Sequence, residues 1–109
     1  MIRALFVSGL ARTRGPTAAQ VFGDWPGVRA DFAGIEPGAD ARLSPEQLDW
    51  ADRIYCFEPR HKTRIGALHG RSLRGRTVYT LDVPDLYTFM QPELVELLVH
   101  RVGPDLKKA

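Results

Sequence analysis

The sequence predicts an α/β domain: a four-stranded parallel sheet flanked by helices in three layers. Three observations predict it. Short apolar runs alternate with helix-length segments in the order β-α-β-α-β-α-β-α, the pattern of a parallel sheet with helical crossovers. The first run, Ala4–Val7, carries no polar residue, as expected for a strand buried on both faces. Prolines 16, 45, 59 and 92 stand where the helix-length segments begin, and the first helical turn tolerates a missing N–H. At 109 residues the chain makes one domain with a single core.

Residues 2–7 (IRALFV) read as the first strand, followed by a loop and a helix from Pro16 to about Phe22, with Val21 and Phe22 facing inward. Asp24-Trp25-Pro26-Gly27 is a turn, with Trp25 expected to anchor it to the core. Val28 to Ala33 is the second strand, with Val28, Ala30 and Phe32 on one face. Residues 34–43 form a loop. Ser44-Pro45-Glu46-Gln47 is a capping box, with Ser44 as N-cap and Gln47 at the third helical position. Ile54 to Phe57 is a third buried strand, and its Cys56 is expected to pack as a small hydrophobe. Pro59 to Leu68 is a helix closed near Gly70, Thr77 to Leu81 the fourth strand, and 82–90 a loop. The last helix opens at Pro92 and is expected to end near Gly103-Pro104.

Composition narrows the function. The apolar and charged fractions are those of an ordinary globular protein, and no apolar run approaches membrane-spanning length. The N-terminus lacks the layout of a signal peptide, so a cytoplasmic location is expected. A lone cysteine excludes an internal disulfide, and the three histidines lack metal-ligand spacing; neither metal nor cofactor is expected. The net charge of +2 is weak, but Arg60, Lys62, Arg64, Arg71, Arg74 and Arg76 cluster in one stretch. Such a run is ordinarily a solvated face; the alternative is a surface for nucleic acid or an acidic partner.

The densest chemical signal is the loop Ser8-Gly9-Leu10-Ala11-Arg12-Thr13-Arg14-Gly15 between the first strand and helix. Backbone N–H groups and a helix N-terminus converge there on one point, which suits an anion. Arg14 can fork onto two oxygens of a phosphate-like group, Arg12 can reach a ligand's flank or solvent, and Ser8 sits where a nucleophile would. It is not a nucleotide P-loop, since the lysine and the following hydroxyl of that motif are missing.

Ser8, five residues, then Arg14 resembles the C-x5-R loop of the low-molecular-weight protein tyrosine phosphatases, in particular a compact bacterial subgroup. The resemblance extends over LFV before the loop, Arg12–Ala18, Gln20–Phe22, Ala33-Gly34, Trp50–Ile54, Leu81–Tyr87 and Pro92–Leu94. It implies that Arg14 clamps phosphate, that Asp85 occupies the general-acid position with Asp82 as its rival, and that Tyr87 is the aromatic pocket wall. It also implies a cysteine nucleophile, a supporting hydroxyl after the arginine and a loop asparagine. Here those positions hold Ser8, Gly15 and Ala11.

The first departure matters most. A thiol has a reference pKa of about 8.5 and an anion cradle lowers it; a serine hydroxyl is far more basic and needs an adjacent base. Only His61, His69 or His100 could supply one, by approach in space. The expected function is therefore a phosphatase-like domain that holds phosphate, sulfate or a phosphorylated ligand with impaired turnover. The alternatives are an active phosphomonoesterase using Ser8 and Asp85, and an interaction module using the 60–76 face.

Overall fold

Four strands pair in parallel in the order β2-β1-β3-β4: β1 (Ile2–Ser8), β2 (Val28–Gly34), β3 (Arg53–Cys56) and β4 (Val78–Thr80). This is a computed structural model, and it describes residues 1–107. The helices are α1 (Arg14–Gly23), α2 (Pro45–Trp50), α3 (Pro59–His69) and α4 (Pro92–Leu106), with one 3-10 turn at Gly70–Leu73.

β1 runs through the middle of the sheet, so both its faces must be apolar. Ala4 and Phe6 point into one core with Phe22, Tyr55, Leu94 and Leu98. Leu5 and Val7 point into the other with Leu48, Ile54 and Ile65. The uninterrupted apolar run of β1 is thus a direct consequence of its place. Phe6 stacks on Phe22 and Tyr55 with ring centroids 5.7 and 5.3 Å apart, which locks α1 and β3 onto the same strand.

Successive strands lie on opposite sides of β1, so the chain leaves β1 toward β2 and later returns to lay down β3 on its other edge. The loops leaving β1 and β3 therefore separate at their carboxyl ends. In open α/β sheets that crevice is where ligands bind.

Local chemistry explains the connections. Ser44 Oγ accepts from Gln47 N at 3.2 Å while Gln47 Oε1 accepts from Ser44 N at 3.2 Å, completing the capping box. Gly34 is required: a Cβ there would sit 2.6 Å from Ala39 Cβ and 2.7 Å from the Gly9 carbonyl. Beyond it, Ile35 and Glu36 N–H groups donate to the Ser8 and Gly9 carbonyls at 3.0 Å. The first half of the loop after β1 is thereby fastened to the end of β2.

Some boundaries differ from the sequence reading. α1 starts at Arg14, so Pro16 is its third residue; the N–H that proline lacks has no intrahelical partner in a first turn. β3 begins one residue earlier, and residues 70–73 coil into the 3-10 turn rather than loop. α4 does not stop at Gly103-Pro104 but continues to Leu106. Gly103 is there for packing, since a Cβ would lie 3.1 Å from the Trp25 ring, and buried Leu106 ties the last turn to the core. Trp25 in turn packs edge-on against Phe22 at 5.0 Å, and Cys56 is buried as expected. Among the described residues, no helix is long and apolar enough to cross a membrane.

Candidate functional site

The segment Ser8–Arg14 leaves the carboxyl end of β1 and enters α1 around a cavity of about 170 Å3. Ser8, Gly9, Leu10, Ala11, Arg12, Thr13, Arg14 and Asp85 line it. Ser8 is buried, and its Oγ accepts from the Ala11 N–H at 3.1 Å. That bond depends on a left-handed turn at Ala11, with φ 60°. An alanine pays roughly 1 kcal/mol for this conformation, which asparagine and glycine adopt more readily. Ala11 therefore holds this turn under strain.

Gly15 stands beside Ser8. A Cβ at this position would stand 3.6 Å from Ser8 Oγ, so a hydroxyl-bearing side chain would reach the serine. The same Cβ would also press on Phe32 Cβ at 3.2 Å.

Arg14 is 4% exposed, unusual for an arginine, and its partners explain how it tolerates burial. Nη1 donates to Glu58 Oε2 at 2.6 Å and to the Val83 carbonyl at 2.7 Å. The guanidinium carbon sits 5.5 Å from the centre of the Phe57 ring. Nε is 3.9 Å from Asp85 Oδ1, across the cavity mouth. One edge of the fork is thus fixed by the protein and another is turned toward the cavity, next to an exposed carboxylate. Only the Asp85 side of this pair is exposed, and at 3.9 Å its contact with Arg14 is the longer of the two carboxylate contacts.

Glu58 was not singled out by its sequence. It follows the buried strand and precedes Pro59, where it looks like a helix-cap residue. The available signal was its place at the carboxyl end of β3, beside β1. Arg60 also holds it, at 3.3 Å from Oε1, and Arg60 reaches Glu36 at 3.1 Å. Burial alone would raise the Glu58 pKa, but hydrogen bonds and charge from Arg14 and Arg60 outweigh this and hold it below the usual carboxylate value.

The rival acids separate cleanly. Asp85 lines the cavity, whereas Asp82 is exposed in a left-handed turn beside Arg101. Tyr87, the expected pocket wall, packs half-buried against the main core, two residues beyond Asp85 at the cavity. The loop instead exposes Leu86 and Phe89.

Of the histidines, His61 lies closest to the cradle, with Nε2 3.7 Å from Glu58 Oε2. It is fully buried and neither ring nitrogen has a hydrogen-bond partner. Burial, then the charges of Arg14 and Arg60, push its pKa down to about 4, so it is neutral at pH 7. A proton on His61 favours the unfolded chain, which accepts one near pH 6.5 while the native state resists until about 4. Stability should therefore fall as pH drops from 6.5 to 4, by about 2–3 kcal/mol from this group. Urea midpoints at pH 7 and 4.5 check this: His61→Leu should flatten the slope, and an unchanged slope would refute the assignment.

The basic stretch is not one free surface. Arg76 donates to the Leu48 and Ala51 carbonyls at the end of α2, and Arg60 is engaged by Glu36 and Glu58. Lys62, Arg64, Arg71 and Arg74 are exposed. Among the described residues, no cluster of three or more histidine, cysteine or acidic side chains has metal-site geometry.

No known family model matches the sequence, and no curated protein matches it. Solved structures do. The low-molecular-weight protein tyrosine phosphatase of T. tengcongensis aligns with a TM-score of 0.79 at 19% identity, covering 100% of both chains. The tyrosine phosphatase Wzb of Escherichia coli K30, in complex with phosphate, gives 0.79 at 15% identity over 99% of each chain. A Cys-to-Ser mutant of the arginine phosphatase YwlE with a phosphorylated active-site serine gives 0.75 at 23% identity, over 98% of this chain and 97% of that one. The chain has the fold of the low-molecular-weight protein tyrosine phosphatases.

Proposed function

We propose that the Ser8–Gly15 loop is a cradle for phosphate or a phosphorylated side chain, and that the protein holds such a ligand with little or no turnover. The observation that carries this is the state of Arg14: buried, braced by Glu58 and the Val83 carbonyl, and facing a cavity of phosphate scale. Space of about 170 Å3 is ample for a phosphoryl group and its oxygens. Wzb, with the same fold, was solved with phosphate, and the YwlE variant carries phosphate on an active-site serine. The ligand class those neighbours suggest is a phosphorylated tyrosine or arginine side chain.

Impaired turnover follows from Ser8. Its oxygen accepts a hydrogen bond from Ala11, and among the described residues no base is hydrogen-bonded to it. The nearest histidine is neutral but makes its contact with Glu58, not with the serine. A second reading, an active phosphomonoesterase, is favoured by Asp85 alone, whose carboxylate is at the mouth where a leaving group would depart. The interaction-module reading is weakened by the internal duties of Arg60 and Arg76.

The test is calorimetric titration of inorganic phosphate into the native chain and Arg14→Ala. Loss of charge-assisted hydrogen bonds worth about 1.5–3 kcal/mol should weaken binding by roughly 10- to 150-fold. Equal affinity in a folded Arg14→Ala would contradict the cradle.

A further inference from the structure

We propose that His61 is a proton-coupled partner of the cradle: an anion entering beside Arg14 brings a proton onto His61, so the loop binds a dianion and a proton together and holds the anion more tightly in acid solution. The inference rests on the cradle reading above and adds to it how ligand release is regulated.

By ordinary packing rules His61 is out of place. It is fully buried, and neither ring nitrogen has a hydrogen-bond partner. Buried nitrogens are nearly always paired, because an unpaired one loses its water without a replacement. The position of the ring shows what it is poised for. Glu58 stands immediately before α3 and His61 lies in that helix's first turn, which sets Nε2 3.7 Å from Glu58 Oε2. The same oxygen accepts from Arg14 Nη1 at 2.6 Å. One carboxylate oxygen therefore stands between the anion clamp and the imidazole. A shift of less than about one ångström would bring Nε2 within hydrogen-bond reach of it.

The charges that act on the ring come from several elements. Arg14 reaches it from α1, Arg60 from its own helix, Glu58 from the head of that helix and Glu36 from the segment after β2. Asp85 meets Arg14 from the cavity mouth, at 3.9 Å. With the cradle empty, burial and the two arginines prevail and the ring is neutral. A bound dianion offsets the charge of Arg14, and the balance at the ring shifts toward the carboxylates. A proton from solvent then makes the imidazolium, which donates through Nε2 to Glu58 Oε2. Glu58 is still ionised when this happens, because hydrogen bonds from Arg14 and Arg60 lower its own proton affinity. Linkage fixes the direction: if the anion raises the proton affinity of His61, the proton raises the affinity for the anion by the same factor. At neutral pH the ring is unprotonated with or without ligand and adds nothing. In the acid window only the loaded chain carries the proton, so the anion is held there and released as pH rises.

The experiment follows the imidazole resonances of His61, His69 and His100 by NMR from neutral to acid pH, without and with saturating sodium sulfate. Sulfate is the probe because it stays dianionic throughout, whereas phosphate takes up protons itself. Sulfate is expected to raise the proton affinity of His61 roughly 10-fold, its midpoint climbing from about 4, while His69 and His100 move far less. Calorimetry should read an equal gain in sulfate affinity on the acid side, measured in an Asp85→Asn background that removes the other carboxyl meeting Arg14. In that background His61→Gln, which cannot take the proton, should lose the acid gain. If His61→Gln does not fold, the midpoint in the native chain decides. A His61 midpoint that saturating sulfate leaves unmoved would overturn this inference and leave the cradle standing, as would an undiminished acid gain in His61→Gln. Absence of sulfate binding at every pH would overturn both.

Discussion

Ser8→Cys should sharply raise phosphatase turnover if the loop is the cradle proposed above. The scaffold around position 8 already holds what a thiolate needs: a helix N-terminus, loop N–H groups and Arg14 at the cavity. A thiol placed there loses its proton near neutral pH, whereas the serine does not. Removing a nucleophile from a covalent enzyme costs up to about 10⁶-fold, so restoring one should raise p-nitrophenyl phosphate hydrolysis by on the order of 10³-fold or more. The gain should stay short of a full enzyme, because Gly15 offers the new sulfur no hydroxyl. Adding Gly15→Ser to Ser8→Cys tests that shortfall, with one structural obstacle: its Cβ meets Phe32 Cβ at 3.2 Å, so Phe32 must yield by a few tenths of an ångström. Steady-state rates of the single and double variants decide this. No activity in either would mean that the loop has diverged beyond its nucleophile.

Glu58→Gln carries the second large effect, on stability. Arg14 is almost wholly enclosed, and Glu58 is the carboxylate hydrogen-bonded to it. Removing one partner of a buried pair costs about 3–5 kcal/mol because the other charge is left uncompensated. Glu58 is 30% exposed, and water tempers the loss to about 2–4 kcal/mol. Urea midpoints would register this, and Glu58→Asp should recover part of it. The pH dependence follows from the lowered Glu58 pKa. Its contribution is fully present above the ordinary carboxylate range and disappears as pH falls through the lower folded value. It is therefore lost at more acid pH than the part governed by His61, whose effect begins near 6.5. Phosphate should stabilise Glu58→Gln more than the native chain, since the anion takes over the missing charge. A Glu58→Gln chain as stable as the native one would show that Arg14 is braced by other means.

Much of this architecture is legible in the chain because single residues carry unambiguous chemistry. Ala4–Val7 reads as a strand buried on both faces, Ser44 and Gln47 spell a capping box, and Ser8 to Arg14 spans one loop at the crevice where the sheet changes direction. What stayed hidden depends on contacts between distant segments. Gly103-Pro104 carries the composition of a helix end, yet the Trp25 ring needs the glycine and Leu106 needs the turn after it. Glu58 looks like a solvated residue before a proline until β3 is laid beside β1 and brings it to Arg14. The Val83 carbonyl has no side-chain signal whatever, and it shares the load of the same guanidinium. Tyr87 is a pocket residue only by resemblance, and its packing against the core beside cavity-lining Asp85 depends on the fold of the 82–90 loop.

The central claim is that this cradle holds a phosphoryl group without turning it over. Its most direct test is the time course of p-nitrophenol release by the native chain at high protein concentration, with Ser8→Ala alongside. The account predicts at most one equivalent of product per chain, with no steady phase afterward. A sustained linear release in the native chain, abolished in Ser8→Ala, would contradict it and establish a serine-dependent phosphatase.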